Sequence, residues 1–161
     1  MKIESFNGQK EGEEIIAVWR QHIWVLSRTT LIAILLIVIG SMPLAFWSPS
    51  WGAKFLLFFI AVGGLYFLLG FFLWFNTVYI LTDLRVMTIA QQRFMIRKIN
   101  EIPLPNIQNV AHIKKGIFQM IFDFGNVEVQ TAGAVTGMNL KNVEHPYLVQ
   151  QKILTAEKKG I

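Results

Sequence analysis

The strongest structural signal in the chain is LIAILLIVIGSMPLAFWSPSWGAKFLLFFIAVGGLYFLLGFFLWF, residues 31–75, which contains a single charged residue, Lys54. Two uncharged apolar runs occupy residues 29–47 and 55–75. As helices, both are long enough to cross a hydrocarbon core of about 30 Å. The connection, residues 48–54, is short and contains proline and glycine, which are typical of turns. The sequence therefore predicts two antiparallel transmembrane helices rather than two buried helices of a soluble protein.

Two residue types within the spans carry further expectations. Pro43 is expected to kink the end of the first span, because proline cannot donate a helical hydrogen bond. Glycines in the second span either let the two backbones approach closely or act as flexible points. These glycines are Gly63, Gly64 and Gly70.

Lys and Arg counts near the spans predict the orientation. The connection carries only Lys54, whereas Arg20 and Arg28 precede the first span. Four basic residues follow the second span: Arg85, Arg93, Arg97 and Lys98. Because basic residues stay on the cytoplasmic side, we expect a two-span protein of the cytoplasmic (inner) membrane with both termini in the cytoplasm.

The segment before the first span is a mixture of charged and apolar residues. Apolar residues between Glu14 and Ser27 recur at about helical spacing. One interpretation is an interfacial helix or a short strand that leads into the membrane. The other is a linker whose Trp19 and Trp24 pack on the soluble domain. The sequence leaves both open.

After Asn76 the pattern changes to short alternating strands. The turn at residues 82–85 joins two strands, and Asp83 is expected to accept hydrogen bonds within that hairpin. Further strands are predicted at residues 94–99, 107–113, 127–130 and 138–143, with a short helical turn within 116–124 and a flexible turn at 133–137. A helix follows from Pro146 to about Lys158. This order predicts a small β-barrel or sandwich closed by one helix.

Several short pieces, kept in order, resemble the bacterial pleckstrin-homology-like (PH-like) domain family, in its membrane-flanking type with two N-terminal transmembrane helices. Glu13 and RQH at 20–22 resemble its pre-membrane segment. The other matching pieces are YILTDLRV at 79–86, IPL at 102–104, IQNV at 107–110, FGNV at 124–127, TAG at 131–133 and NVEHP at 142–146. The resemblance implies two nearly orthogonal antiparallel sheets capped by a C-terminal helix. It also implies membrane-associated binding or scaffolding, often beside a related partner protein, and it supplies no catalytic residues.

The expected fold is thus an α-helical transmembrane hairpin followed by an all-β PH-like barrel or sandwich capped by a C-terminal helix. Residues 1–28 would be a cytoplasmic pre-membrane segment and residues 29–75 the hairpin. Residues 76–161 would be a cytoplasmic PH-like domain.

Candidate binding residues fall into a basic set and an aromatic set. The basic set is Arg93, Arg97, Lys98, Lys114 and Lys115. These cations either face the anionic leaflet or form a solvated basic face that follows the positive-inside rule. Phe118 and Phe122 lie in an apolar run, for which core packing is the first interpretation and a partner or bilayer contact the alternative.

Most chemical functions lack a matching pattern. The chain has no cysteine, which excludes disulfides and thiolate metal sites. His22, His112 and His145 are too widely spaced to suggest zinc, and no glycine-rich phosphate loop or catalytic pair appears. Aromatic residues do not alternate with basic ones as nucleic-acid binding requires. We therefore expect no cofactor, no metal, no nucleic acid and no enzymatic activity.

Two functions remain. The first is a membrane-anchored scaffold whose PH-like domain assembles with a membrane protein partner or with its own copies. The second is recognition of anionic lipid headgroups by the basic loops. Membrane lipids surround the protein in either case.

Overall fold

The computed structural model describes residues 9–10, 12–46, 49–93, 96–131 and 137–159. The described residues form two compact units, one of residues up to His22 together with those from Asn76 onward, and one of Ile23–Phe75. The turn predicted at 133–137 and the start of the strand predicted at 94–99 lie largely outside the described residues.

The second unit is a pair of long apolar helices. The first is formed by α1 (Leu26–Ser41) and the short α2 (Pro43–Phe46), and the second is α3 (Pro49–Phe75). The candidate spans Ile23–Phe46 and Pro49–Phe75 have mean hydropathies of 2.3 and 2.5, and only 11% and 6% of their most apolar windows are buried. Such exposure of apolar side chains is unfavourable in water and favourable in lipid, so the chain is a membrane protein.

Proline positions define the ends of these helices. The first span is interrupted at Met42, immediately before Pro43, which is the residue where a kink was predicted. The turn predicted at residues 48–54 was mostly wrong, because α3 already begins at Pro49. Proline suits the first position of a helix, where its missing N–H leaves no hydrogen bond unmade.

Glycines allow the two long helices to approach closely. A Cβ atom built on Gly70 would lie 2.5 Å from the Cγ2 of Thr29, and one on Gly63 would lie 3.1 Å from the carbonyl oxygen of Ala33. Close approach is therefore confirmed at Gly63 and Gly70. Gly64 has no atom within 4 Å of the equivalent point, so it has no packing role within this hairpin.

The first unit is a two-sheet sandwich with one capping helix. An antiparallel four-stranded sheet has the order β1-β2-β3-β4, and a three-stranded sheet has the order β5-β6-β7. The strands are β1 (Ile15–Arg20), β2 (Val78–Thr82), β3 (Arg85–Arg93), β4 (Ile96–Pro103), β5 (Ile107–Ile113), β6 (Phe124–Thr131) and β7 (Met138–Glu144). A short helix α4 (Ile117–Ile121) lies between β5 and β6, and α5 (Pro146–Lys159) follows β7.

The core joins both sheets to α5. Leu81 and Val86 of the first sheet, Leu140 of the second and Ile153 of α5 are fully or almost fully buried in one cluster. The inward residues of α5 recur at helical spacing, at Val149, Ile153 and Ala156. The predicted fold, a transmembrane hairpin followed by a sandwich capped by a C-terminal helix, is confirmed.

The pre-membrane segment belongs to the sandwich. Ile15–Arg20 is a strand that pairs antiparallel with β2, and Trp19 packs against the core. The interpretation as an interfacial helix was therefore wrong, and packing of Trp19 on the soluble unit is what the structure shows. The boundary between the units falls after His22 rather than after residue 28.

A buried ion pair holds the start of β1 to the sandwich. Arg85 donates two parallel hydrogen bonds to Glu13, from Nε to Oε1 and from Nη2 to Oε2, each of 2.9 Å. The Thr82 hydroxyl lies 2.8 Å from Oε1, and the Lys10 N–H donates to Oε2. The pKa of Glu13 is lowered from 4.5 to about 2, and the hydrogen bonds from Arg85 are the main cause. This buried carboxylate is therefore charged at neutral pH.

The hairpin between β2 and β3 is closed differently from the expectation. The Thr82 hydroxyl, not Asp83, accepts the Arg85 N–H at 3.0 Å. Asp83 instead accepts the N–H of Glu14 at 2.9 Å, while the Asp83 N–H donates to the Glu14 carbonyl. Asp83 thus joins the hairpin to the residue that precedes β1.

Candidate docking surface

The seven residues that the sequence singled out lie on several different elements of the soluble unit. Arg97 and Lys98 are exposed on β4, and Arg93 ends β3 with a side chain outside the described residues. Lys114 and Lys115 follow β5. Phe118 lies in α4, and Phe122 follows its last residue. The basic set is therefore divided between sheets, and its role in binding stays a prediction.

The segment around α4 exposes its apolar side chains to solvent. Their exposed fractions run from 45% at Phe122 to 73% at Ile117. We call these side chains the α4 surface: Ile117, Phe118, Met120, Ile121 and Phe122. Core packing was thus the wrong interpretation of this run, and only the following Phe124 is buried. Contiguous exposed apolar residues are typical of surfaces that contact another protein or a membrane, so the α4 surface is a candidate docking site.

Polar contacts order the α4 surface. Gln119, the polar residue within it, accepts the Lys115 N–H through Oε1, and its amide nitrogen lies 3.4 Å from Oδ1 of Asn142. The Phe122 N–H donates to the Phe118 carbonyl at 3.0 Å, which closes the last helical turn. The apolar side chains are therefore carried on an ordered backbone.

Asp123 joins the end of the α4 surface to the start of α5. Its carboxylate pairs with Lys114 and with Nδ1 of His145, and the His145 N–H donates to the Asp123 carbonyl at 2.9 Å. Hydrogen bonding from Lys114, and then from His145, lowers the pKa of Asp123. Asp123 and His145 both have positive φ, 49° and 47°, a left-handed backbone conformation that is uncommon for residues other than glycine. The pairing also neutralises Lys114.

The remaining histidines have local partners. Nδ1 of His112 lies 2.6 Å from Oε1 of Gln150, and His22 stacks on Phe124 with ring centroids 4.7 Å apart. The His145 carbonyl accepts the Leu148 N–H at the start of α5, so this residue closes the first turn of that helix. In the described part of the chain, His, Asp and Glu side chains form no group of three that could hold a metal ion.

The exposed residues of β4 form a second, more mixed surface. Ile96 and Ile99 are 49% and 51% exposed, on the same strand as Arg97 and Lys98. The α4 surface was the stronger feature in the fold, and sequence reasoning assigned it mainly to the core. The apolar run that follows Lys114-Lys115-Gly116 contains no local signal that separates it from a core segment.

Comparison with known proteins assigns the sequence to a family. The sequence profile described as "Bacterial PH domain" matches residues 23–156. A protein with a pleckstrin-homology domain from Shewanella loihica is similar over 50% of this chain and 70% of its own, at 13% identity and a TM-score of 0.41. A pleckstrin homology domain from Shewanella amazonensis is similar over 51% of this chain and 67% of its own, at 15% identity and a TM-score of 0.42. No curated protein matches the chain. The profile match covers well over half of the residues, so the chain belongs to the bacterial PH domain family.

Proposed function

We propose that this protein is a membrane-anchored, non-enzymatic scaffold whose α4 surface binds another membrane protein at the cytoplasmic face of the membrane. The observation that carries the proposal is the exposure of five large apolar side chains within six consecutive residues, from 45% to 73%. An ordered apolar surface is costly in water, and a binding partner that covers it removes that cost.

The chemistry of the surface favours a protein over lipid headgroups. Phenylalanine and methionine are enriched at the centres of protein interfaces, and Phe118, Met120 and Phe122 supply both. Headgroup recognition instead needs several cations around one site. Here Lys114 is paired with Asp123, and Arg97 and Lys98 lie on the other sheet.

The charge balance favours a different protein over a second copy of this chain. A twofold contact centred on α4 would bring Lys115 of both copies to the rim of the same interface, where like charges repel. A partner with an apolar pocket bordered by carboxylates would complement both the apolar side chains of the α4 surface and the lysine charge beside it. We expect such a partner to be a membrane protein, because the hairpin confines the soluble unit to the bilayer surface and raises its effective concentration there.

The cytoplasmic orientation is part of the proposal and has its own test. In the sequence, Arg20 and Arg28 lie near one end of the hairpin, whereas Lys54, near the start of α3, is the one basic residue near the other end. The chain has no cysteine, so Ile121→Cys would be its only thiol. We expect a membrane-impermeant maleimide to label this variant in lysed cells and not in intact cells. A single cysteine at Lys54 is the opposite control, and labelling of residue 121 in intact cells would reverse the orientation.

The partner can be tested with a photo-crosslinker. With p-benzoylphenylalanine at position 121 in the full-length protein in cells, we expect one defined crosslinked membrane protein. The same probe at Gln130, an exposed polar position on β6, should not give it. Co-purification of that protein in native-lipid nanodiscs should then fall by about tenfold or more in Ile121→Asp, since central apolar contacts carry most interface energy.

Three results would contradict the docking proposal. Crosslinks confined to phospholipid would favour the lipid alternative, and crosslinks to a second copy would favour homo-oligomerisation. Unchanged co-purification by Ile121→Asp would remove the α4 surface from the interface. Because Ile121 is 67% exposed, the variant should keep the unfolding temperature of the parent protein, which checks that the soluble unit remains folded.

The non-enzymatic part of the proposal rests on the roles of the polar groups. Asp83 accepts the Glu14 N–H, and Nδ1 of His112 is hydrogen-bonded to Gln150, which are structural contacts. A hydrolytic or transferase activity of the purified full-length protein that is lost in Asp83→Asn or His112→Ala would overturn it.

A further inference from the structure

A third surface lies between β1 and α5, and His145 is one of the residues that line it. It is an open groove of about 550 Å³ lined by both elements. Its β1 wall contains Ile16 and Trp19, and Val149 and Ala156 of α5, both almost fully buried, form its floor. A concave, mainly apolar surface of this kind suits a bound segment or ligand.

The β1 wall of the groove is the edge of a sheet. β1 pairs with β2 on one side, and among the described strands its other side meets only the bridge from Gln21 to Val143. The pairing with β2 shifts between Ile15 and Ala17, so Ile16 is the extra residue of a β-bulge. Bulges redirect side chains, and Ile16, 47% exposed, lines the groove together with Trp19. An open strand edge offers backbone N–H and C=O groups to another extended chain.

The α5 wall presents one regular row of side chains. Leu148, Lys152, Thr155 and Lys159 recur at i, i+4, i+7 and i+11, and all four line the groove. From Leu148 to Lys159 the row extends about 16 Å along the helix, the length of roughly five residues of extended chain.

The charges along the groove are polarised. The bridge from Gln21 to Val143 places the end of β1 beside the start of α5, where Glu144 and His145 line the groove. His145 is there paired with Asp123. Lys152 lies near the middle of the α5 row and Lys159 at its far end, so the groove is basic on the side away from Glu144. The groove therefore favours an occupant with a carboxylate at one end only.

From these features we propose that the groove binds an extended peptide segment that adds a strand to the open edge of β1. The segment has alternating apolar side chains, which contact Ile16, Trp19 and Leu148, and an acidic residue that pairs with Lys152 and Lys159. Backbone hydrogen bonds to an edge strand supply affinity, and the pockets for alternate side chains supply specificity. This site is separate from the α4 surface and does not depend on the docking proposed there.

The probe for this proposal is a phage-displayed library of random heptapeptides, panned against the full-length protein in nanodiscs. We expect enrichment of alternating apolar residues with Asp or Glu at one end. The double variant Lys152→Glu/Lys159→Glu should instead select Lys or Arg at that position. Lys158→Glu, an exposed change on α5 outside the groove lining, should select the same peptides as the parent protein.

A synthetic copy of the selected peptide then tests the position of binding. It should slow the amide hydrogen exchange of residues 15–19 and leave β4 unchanged. Ile16→Glu should weaken its binding by about tenfold or more, as loss of a central apolar contact does. Failure to enrich a common sequence, equal binding by Ile16→Glu, or protection confined to other strands would each overturn the proposal. Native mass spectrometry that finds an anionic lipid, lost in the double charge variant, would identify an acyl-chain site instead.

Discussion

Replacement of Glu13 with glutamine is expected to lower the free energy of unfolding of the soluble unit by about 3 kcal/mol. The change removes the negative charge and one of the two acceptor oxygens from the fully buried partner of Arg85, whose own side chain is 8% exposed. The expected loss lies at the lower end for a broken buried pair, because Arg85 also pairs with Glu101, which is more exposed. Hydrogen exchange of the β1 amides should become about a hundredfold faster, since each 1.4 kcal/mol corresponds to a factor of ten.

The matched control is Glu14→Gln, which removes the neighbouring carboxylate from an exposed side chain. Exposed charges contribute about 1 kcal/mol or less, so exchange in this variant should stay near that of the parent protein. Equal exchange rates in the two variants would show that the Glu13 ion pair does not hold β1 in place.

The pH dependence of the free energy of unfolding is an independent test of the same ion pair. Glu13 has a pKa of about 2 in the folded protein against an ordinary value of 4.5. Its stabilisation is therefore complete above the ordinary pKa and is lost as the pH falls toward about 2. The stability difference between the parent protein and Glu13→Gln should shrink over that interval. The lowered pKa of Asp123 is common to both proteins and cancels in the difference.

The coarse architecture could be predicted because its signals are local. A long uncharged apolar run has few explanations other than a membrane span, and strands such as β6 show their alternation within eight residues. The resemblance to the PH-like family then implied the two sheets and the terminal helix. These expectations needed no knowledge of which residues meet across the fold.

β1 was ambiguous because its identity depends on a distant partner. The apolar residues of Ile15–Arg20 are followed closely by those of the first span, and together they mimic a helical period. Strand formation is decided by pairing with β2, which lies beyond both membrane helices. The Glu13–Arg85 pair is 72 residues apart in the chain, so a single sequence contains no local sign of it.

The candidate surface was only partly predictable for a similar reason. Phe118, Phe122 and Phe124 read alike in the sequence, yet Phe124 is buried in β6 while Phe118 is 58% exposed. Composition alone cannot distinguish an apolar segment that packs in the core from one that is exposed to solvent. To predict the groove between β1 and α5, one must know that β1 is an edge strand and that it has a bulge at Ile16. Neither feature can be inferred before the strand order is known.

Replacement of Gly40 with leucine is expected to separate the two membrane helices. A Cβ atom at Gly40 would lie 2.4 Å from the Cβ and 2.8 Å from the Cγ of Phe59, so a side chain cannot fit without movement of the helices. Helices with larger residues at their contact pack roughly 2–3 Å further apart than those that meet at glycine. Nitroxide labels at Leu31 and Leu68, which are exposed on α1 and α3, would report this change as a longer and broader distance distribution.

Gly64→Leu is the matched control, because no atom lies within 4 Å of the Cβ position at Gly64. Both substitutions raise helix propensity and apolar volume equally, so any difference between them comes from the contact with Phe59. A distance distribution that shifts in Gly64→Leu, or that stays unchanged in Gly40→Leu, would contradict the close packing of the hairpin. Gly70→Leu should reproduce the Gly40→Leu result from the other end of the hairpin, because its Cβ would lie 2.5 Å from the Thr29 side chain.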